Sequence, residues 1–147
     1  MGYRLKEVTL RTDNSPAGMA QVGALWADVM SGKVPLLFDS EGEFQSGLSP
    51  VSLYHNYDSD AAGRFDLTLQ MVEAGFFAEM EAKVAAGAYQ KYEASGDELS
   101  ACAQAAWRLA WSDGLLKRSY AADYESTVPA QYAKDGKCHC WLYIAVE

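Results

Sequence analysis

Two carboxylates stand two residues apart in Tyr120-Ala-Ala-Asp-Tyr-Glu-Ser-Thr-Val-Pro129, among aromatic and β-branched neighbours that read as a strand. A strand alternates faces, so Asp123, Glu125 and Thr127 share one side while Tyr124, Ser126 and Val128 take the other. Two environments are open to the pair. On a solvated face both are ordinary surface charges, the usual fate of Asp and Glu. If one points into an aromatic-walled cavity, desolvation raises its pKa or leaves a charge that a cation stabilises by pairing. Ring faces would add about 0.5–2 kcal/mol each through cation–π contact. Charge and ring faces say little about ligand outline, so such a site would be permissive.

Other chemistry is thinly represented. Cys138-His-Cys140 suggests a metal, but on a strand the two sulfurs face one way and His139 the other. His55 is the one further histidine, and a structural zinc site wants four ligands, so no metal and no cofactor is expected. Cys102 reads as helix packing, and an odd count of three cysteines suits a reducing compartment. No Ser-His-Asp pattern, phosphate loop or dinucleotide fingerprint is present.

The elements that must position these residues follow from periodicity. Glu7–Thr12 alternates apolar and polar residues as a first strand, with a start as early as Tyr3. Ser15 as N-cap and Pro16 at the first helical position open a helix whose Met19, Val22, Leu25, Trp26 and Val29 recur at helical spacing up to Gly32. Trp26 is thereby turned inward. Residues 32–49, with Gly32, Pro35, Gly42 and Gly47, form a long connection of the kind that serves as a lid. Pro50–Tyr57 and Phe65–Val72 make a hairpin around Asp58–Gly63.

The second half repeats this order. Phe76 to Tyr92 reads as extended chain interrupted near Gly87, and Ser95-Gly-Asp-Glu98 offers a capping box for a helix through Leu99, Cys102, Ala103, Ala106, Trp107, Ala110 and Trp111. Asp113-Gly114 ends it. The strand of the two carboxylates, a turn at Lys134–Lys137 and a last strand, His139–Val146, complete the chain. The expectation is an α+β fold and one domain over 1–147, in two strand-helix-strand-strand modules of about 1–73 and 74–147, with a cleft between them.

The 147 residues are half hydrophobic without low-complexity bias and carry a formal charge of −8. That charge argues against direct nucleic-acid binding, which needs clustered Lys and Arg, and favours the approach of cations. Charges interrupt Met1–Glu7 at once and no apolar run reaches the length of a membrane span, so the expected location is cytoplasmic, with no membrane association.

Taken in order and spacing, the residues resemble the effector-binding domains of the GyrI-like type, found on AraC-type and MerR-type regulators and as free-standing proteins. The anchors are Leu25-Trp26, Tyr54-His-Asn-Tyr57, Ala86-Gly-Ala-Tyr-Gln-Lys-Tyr92 against a Pro-Ala-Gly-x-Tyr-like pattern, Ala106-Trp107, Asp123-Tyr124-Glu125 against Asp-Phe-Glu, and Leu142-Tyr-Ile-Ala-Val146. The chain is also similar to free-standing, cation-binding members encoded on integron gene cassettes. The resemblance implies modules related by a pseudo-twofold axis, an antiparallel sheet, and a cleft for lipophilic cations with an acidic residue at the position of Glu125. Ala86 in place of Pro and His55 in place of a frequent Gly depart from the pattern and bear on the pocket's shape.

The expected site residues are therefore Glu125 with the rings of Trp26, Tyr54, Tyr89, Trp107 and Tyr143, Trp111 being a weaker choice. Asp123 belongs at the rim or hydrates the pair. The first functional expectation is a non-enzymatic protein that binds small hydrophobic, often cationic molecules and acts in transcription, if at all, through a protein partner. The second is hydrolysis of reactive electrophiles, with Glu125 as general base and Tyr54 or Tyr89 as donor. The third is a subunit whose cleft takes a protein.

Overall fold

A computed structural model of the chain describes residues 8–30, 49–59, 63–72, 74–128 and 135–147. The chain divides into two units, Met1–Ala74 and Gly75–Glu147. The first carries β1 (Val8–Thr12), α1 (Pro16–Met30), β2 (Ser49–His55) and β3 (Phe65–Val72). The second carries α2 (Ala74–Ala85, from its second residue on), β4 (Tyr89–Gly96), α3 (Leu99–Ser112), β5 (Ala122–Val128) and β6 (Cys138–Ala145). In each unit the third strand lies between the other two, in the orders β1-β3-β2 and β5-β6-β4, and all four pairings are antiparallel. Each unit thus contains a strand-helix-strand-strand module. The start near Tyr3 and the connection 32–48 lie outside the described residues.

In the first unit Thr12 ties sheet to helix, its hydroxyl bonding Gly18 O at 3.1 Å and Gln21 Oε1 at 3.0 Å. Ser15 caps α1 through Oγ, which accepts from Gly18 N–H at 3.1 Å. Phe65, Leu67 and Leu69 alternate onto the face that also carries Thr12 and Tyr54, and all three are buried. Met19, which shares the helical spacing of this apolar stripe, is exposed.

The second unit departs from the sequence reading at α2. Residues 74–85 are helical, not extended. Phe76, Phe77, Met80 and Val84 fall at i, i+1, i+4 and i+8, and Met80 is buried. Gly87 stops the helix in the left-handed conformation, φ +81°, with Gly87 N–H on Val84 O and Ala88 N–H on Lys83 O, both 3.0 Å, as in a Schellman motif. The capping box also fails. Ser95 stays in the ladder opposite His139, so α3 begins three residues later with Glu98 as an N-cap that makes no side-chain bond.

α3 places Cys102, Ala106 and Ala110, small residues four apart, against Cys138, Cys140, Leu142 and Ile144 of β6. Their size lets the helix lie close on the sheet. Asp113 closes α3 with a 2.7 Å bond from the Tyr92 hydroxyl and a 3.0 Å bond from Leu115 N–H. The other face of this sheet is overlaid by α2, whose Glu81 accepts from Lys91 Nζ at 2.6 Å and from the Tyr143 hydroxyl at 2.9 Å.

Candidate functional site

Antiparallel register decides which residues share a face with the two carboxylates. Glu125 stands opposite Leu142 and Thr127 opposite Cys140, so the Asp123–Glu125–Thr127 side of β5 is the α3 side. All three are buried, Asp123 at 0 % exposure and Glu125 at 6 %. Neither carboxylate is a solvated surface charge.

Asp123 is part of the framework. Its Oδ1 accepts the Ala145 N–H at 2.8 Å and its Oδ2 the Arg118 Nη2–H at 2.8 Å. Arg118 is delivered by a return of the chain along β6, with an isolated bridge to Val146 and bonds from Ser119 N–H to Ala145 O and from Glu147 N–H to Lys117 O. Tyr120 then turns the chain into β5 with φ +56°, and its ring lies 4.4 Å from the Arg118 guanidinium. The rim position read from sequence is corrected, since a residue that satisfies a buried backbone donor and a guanidinium belongs to the core. The signal was available in a cation five residues upstream.

Glu125 meets a ring. Trp107, half-buried on α3 and packed against the core, donates its indole N–H to Glu125 Oε2. The Arg118 guanidinium lies 5.9 Å from the centre of the Trp107 ring, and Trp111, one turn further along α3, packs against Trp107 with centroids 5.8 Å apart and the rings tilted at 32°. One carboxylate, two indoles and a guanidinium already committed to Asp123 therefore gather at the contact of α3 with β5. A buried carboxylate that accepts an indole N–H, with a second indole alongside, offers a small molecule both a charge and aromatic surface.

The other expected rings are distributed differently. Tyr143 and Tyr89 lie on the opposite face of the same sheet, where Tyr143 stands across from Tyr124 and Tyr89 across from Ala145. There Tyr124 contacts Tyr89 at 6.3 Å and Phe76 of α2 at 5.1 Å. Burial pushes the Tyr89 and Tyr124 hydroxyls up in pKa, Tyr89 further through its neighbours Tyr124 and Asp123. Tyr54 and Trp26 belong to the first unit, where Tyr54 packs on Phe65 at 5.6 Å and Trp26 is half-buried on α1. Within the second unit the structure thus joins Trp107 to Glu125 and separates Tyr89 and Tyr143 from it.

Cys138 and Cys140 point into the core with Cys102, while His139 faces away, bonded to Asp135 at 2.9 Å and stacked on Trp141 at 5.3 Å. Among the described residues no cluster of His, Cys, Asp and Glu is arranged to hold a metal ion. Among them, too, no helix is long and apolar enough to cross a membrane.

No family model and no curated protein matches the sequence. Among solved structures the chain is similar to an integron cassette protein from the mobile metagenome of Vibrio cholerae. The TM-score is 0.61 and the identity 21 %, over 98 % of this chain and 95 % of that one. This likeness bears out the resemblance to an integron cassette protein at the level of the fold and over nearly the whole chain.

Proposed function

We propose that the protein binds small hydrophobic cations without turning them over, pairing their charge with Glu125 against the indole of Trp107. The observation that carries this reading is a carboxylate only 6 % exposed that accepts a hydrogen bond from an aromatic N–H, rather than lying among solvated charges. The resemblance to GyrI-like effector-binding domains, and the fold shared with an integron cassette protein, support it. The formal charge of −8 draws cations toward the chain and disfavours nucleic acid, so a role in transcription would run through a protein partner.

The hydrolytic reading needs a tyrosine hydroxyl beside Glu125. Tyr89, one of its two candidates, is on the other face of the sheet, which favours binding over turnover.

The test is calorimetric titration with tetraphenylphosphonium, comparing the wild type with Glu125→Gln after circular dichroism has shown both to be folded. Saturable binding weakened at least about tenfold in the variant, equivalent to about 1.4 kcal/mol, is expected. Equal affinities would remove Glu125 from the site, and no saturation by the wild type would end the cation reading.

A further inference from the structure

The outer edge of β4 carries a charge pattern that is its own complement. β4 pairs with β6 on one side, and among the described residues no strand pairs with it on the other. The bond from Val146 N–H to Ala88 O, in register with Tyr89 opposite Ala145, makes Ala88 and Val146 a hydrogen-bonded pair. Such pairs alternate along an antiparallel ladder, so Gln90, Tyr92 and Ala94 turn their backbone groups toward β6, while Tyr89, Lys91, Glu93 and Ser95 turn theirs outward. A row of this kind is a template for a further strand. The side chains of Lys91 and Glu93 lie on the α2 face, where Lys91 Nζ donates to Glu81 at 2.6 Å and Glu93 accepts the Trp141 indole N–H at 3.0 Å. Tyr92 lies on the α3 face with its hydroxyl on Asp113.

We propose that two copies of the chain join edge to edge through β4, antiparallel about a twofold axis at Tyr92. The ladder restricts the choice, because the residues that bond across the new seam must be the outward-turned ones, each opposite another of the same set. Centred on Lys91, the seam sets two ammoniums face to face; centred on Glu93, it sets two carboxylates so, and like charges directly opposite are unfavourable. Centred on Tyr92, it sets Lys91 opposite Glu93 of the second copy on both sides of the axis, and Tyr89 opposite Ser95. Each Lys91 ammonium then stands between its own Glu81 and the second copy's Glu93. At the axis the two Tyr92 side chains meet as a non-hydrogen-bonded pair, the kind in which side chains approach closest. Hydrogen-bond parity and charge therefore select one register, and a second copy supplies both.

The experiment is sedimentation equilibrium with protein up to about 1 mM, in salt of about 0.15 M, where a Debye length of about 8 Å screens the like net charges of the two copies. The samples are the wild type, Glu93→Lys, Lys91→Glu and an equimolar mixture of the two variants, each checked for folding by circular dichroism. The wild type is expected to dimerise. Either variant alone sets like charges opposite on both sides of the axis, so its self-association weakens at least about tenfold. The mixture restores opposite charges throughout, and a heterodimer within about threefold of wild-type affinity is expected. Glu93 is exposed, so Glu93→Lys spares the core and decides alone if Lys91→Glu, deprived of the ammonium on Glu81, does not fold. A wild type that stays monomeric overturns the proposal. So does Glu93→Lys that dimerises as well as wild type, which moves the contact elsewhere, and so does a mixture that associates no better than its components, which excludes this register.

Discussion

Removing the Asp123 side chain should cost more stability than any other single carboxylate change in the second unit. Asp123 is fully buried and accepts two bonds, from Ala145 N–H and from the Arg118 guanidinium. Asp123→Ala orphans a buried backbone donor, at about 1–3 kcal/mol, and deprives a guanidinium whose side chain is 11 % exposed of a charge-assisted bond, at about 1.5–3 kcal/mol. The two together come to about 2.5–6 kcal/mol, which brackets the range of about 3–5 kcal/mol for breaking a buried ion pair by removing one partner. Asp123→Asn keeps an oxygen for Ala145 N–H and loses the charge, so about half that cost is expected. Urea unfolding followed by circular dichroism at 222 nm measures both. With a slope of about 2 kcal/mol per molar, the alanine variant's midpoint falls by about 2 M and the asparagine variant's by about 1 M. A loss below about 1 kcal/mol in Asp123→Ala would refute the assignment of this carboxylate to the framework. So would equal losses in the two variants.

Stability should decline above the ordinary tyrosine pKa. Burial, then the bond to Asp113, pushes the Tyr92 hydroxyl up, and burial, then the bond to Glu81, does the same for Tyr143. The folded state then keeps protons that the unfolded chain sheds from about pH 10, so stability is complete below that pH and is lost as pH rises toward the folded pKa. Urea midpoints at pH 8, 10 and 11 should fall in that order, with a shallower fall in Tyr92→Phe; an unchanged slope in that variant would contradict the shift. The three cysteines are buried, and burial raises the Cys102 and Cys140 thiols. Ellman's reagent at pH 8 should therefore modify none of them within minutes in the native protein and all three in urea, and rapid native labelling would overturn the core packing of α3 on β6.

Where one periodicity dominated, the sequence was sufficient. The 3.6-residue spacing from Cys102 to Ala110 and the alternation from Asp123 to Val128 located α3 and β5, and alternation alone separated His139 from its flanking cysteines. Phe76–Ala85 failed because adjacent aromatics suit a strand as well as a helix. What settles the helix is Met80 buried one turn on; Gly87, read from sequence as an interruption of extended chain, is the left-handed stop of α2. Ser95 failed for the opposite reason, a sound local motif overridden by its pairing with His139 in the β4–β6 ladder. The rings show the same limit. Tyr89, Tyr143 and Trp107 are equally plausible as sequence, and only the register of β4, β5 and β6 puts the first two on the face away from Glu125.

The two carboxylates show how unlike surroundings arise at equivalent positions. Both face α3 and both are buried, so alternation treats them alike. Their difference comes from what the chain brings to each. Asp123 lies where residues 117–119 run back along the end of β6, and that return delivers a guanidinium and leaves the Ala145 N–H to be capped. Glu125 lies one strand repeat further in, beneath α3, where an indole N–H reaches it. A guanidinium that locks Asp123 also screens it from any ligand, whereas an indole N–H is a neutral partner with a polarisable face that a cation can share. Substitution at Asp123 should thus register as unfolding and substitution at Glu125 as lost affinity.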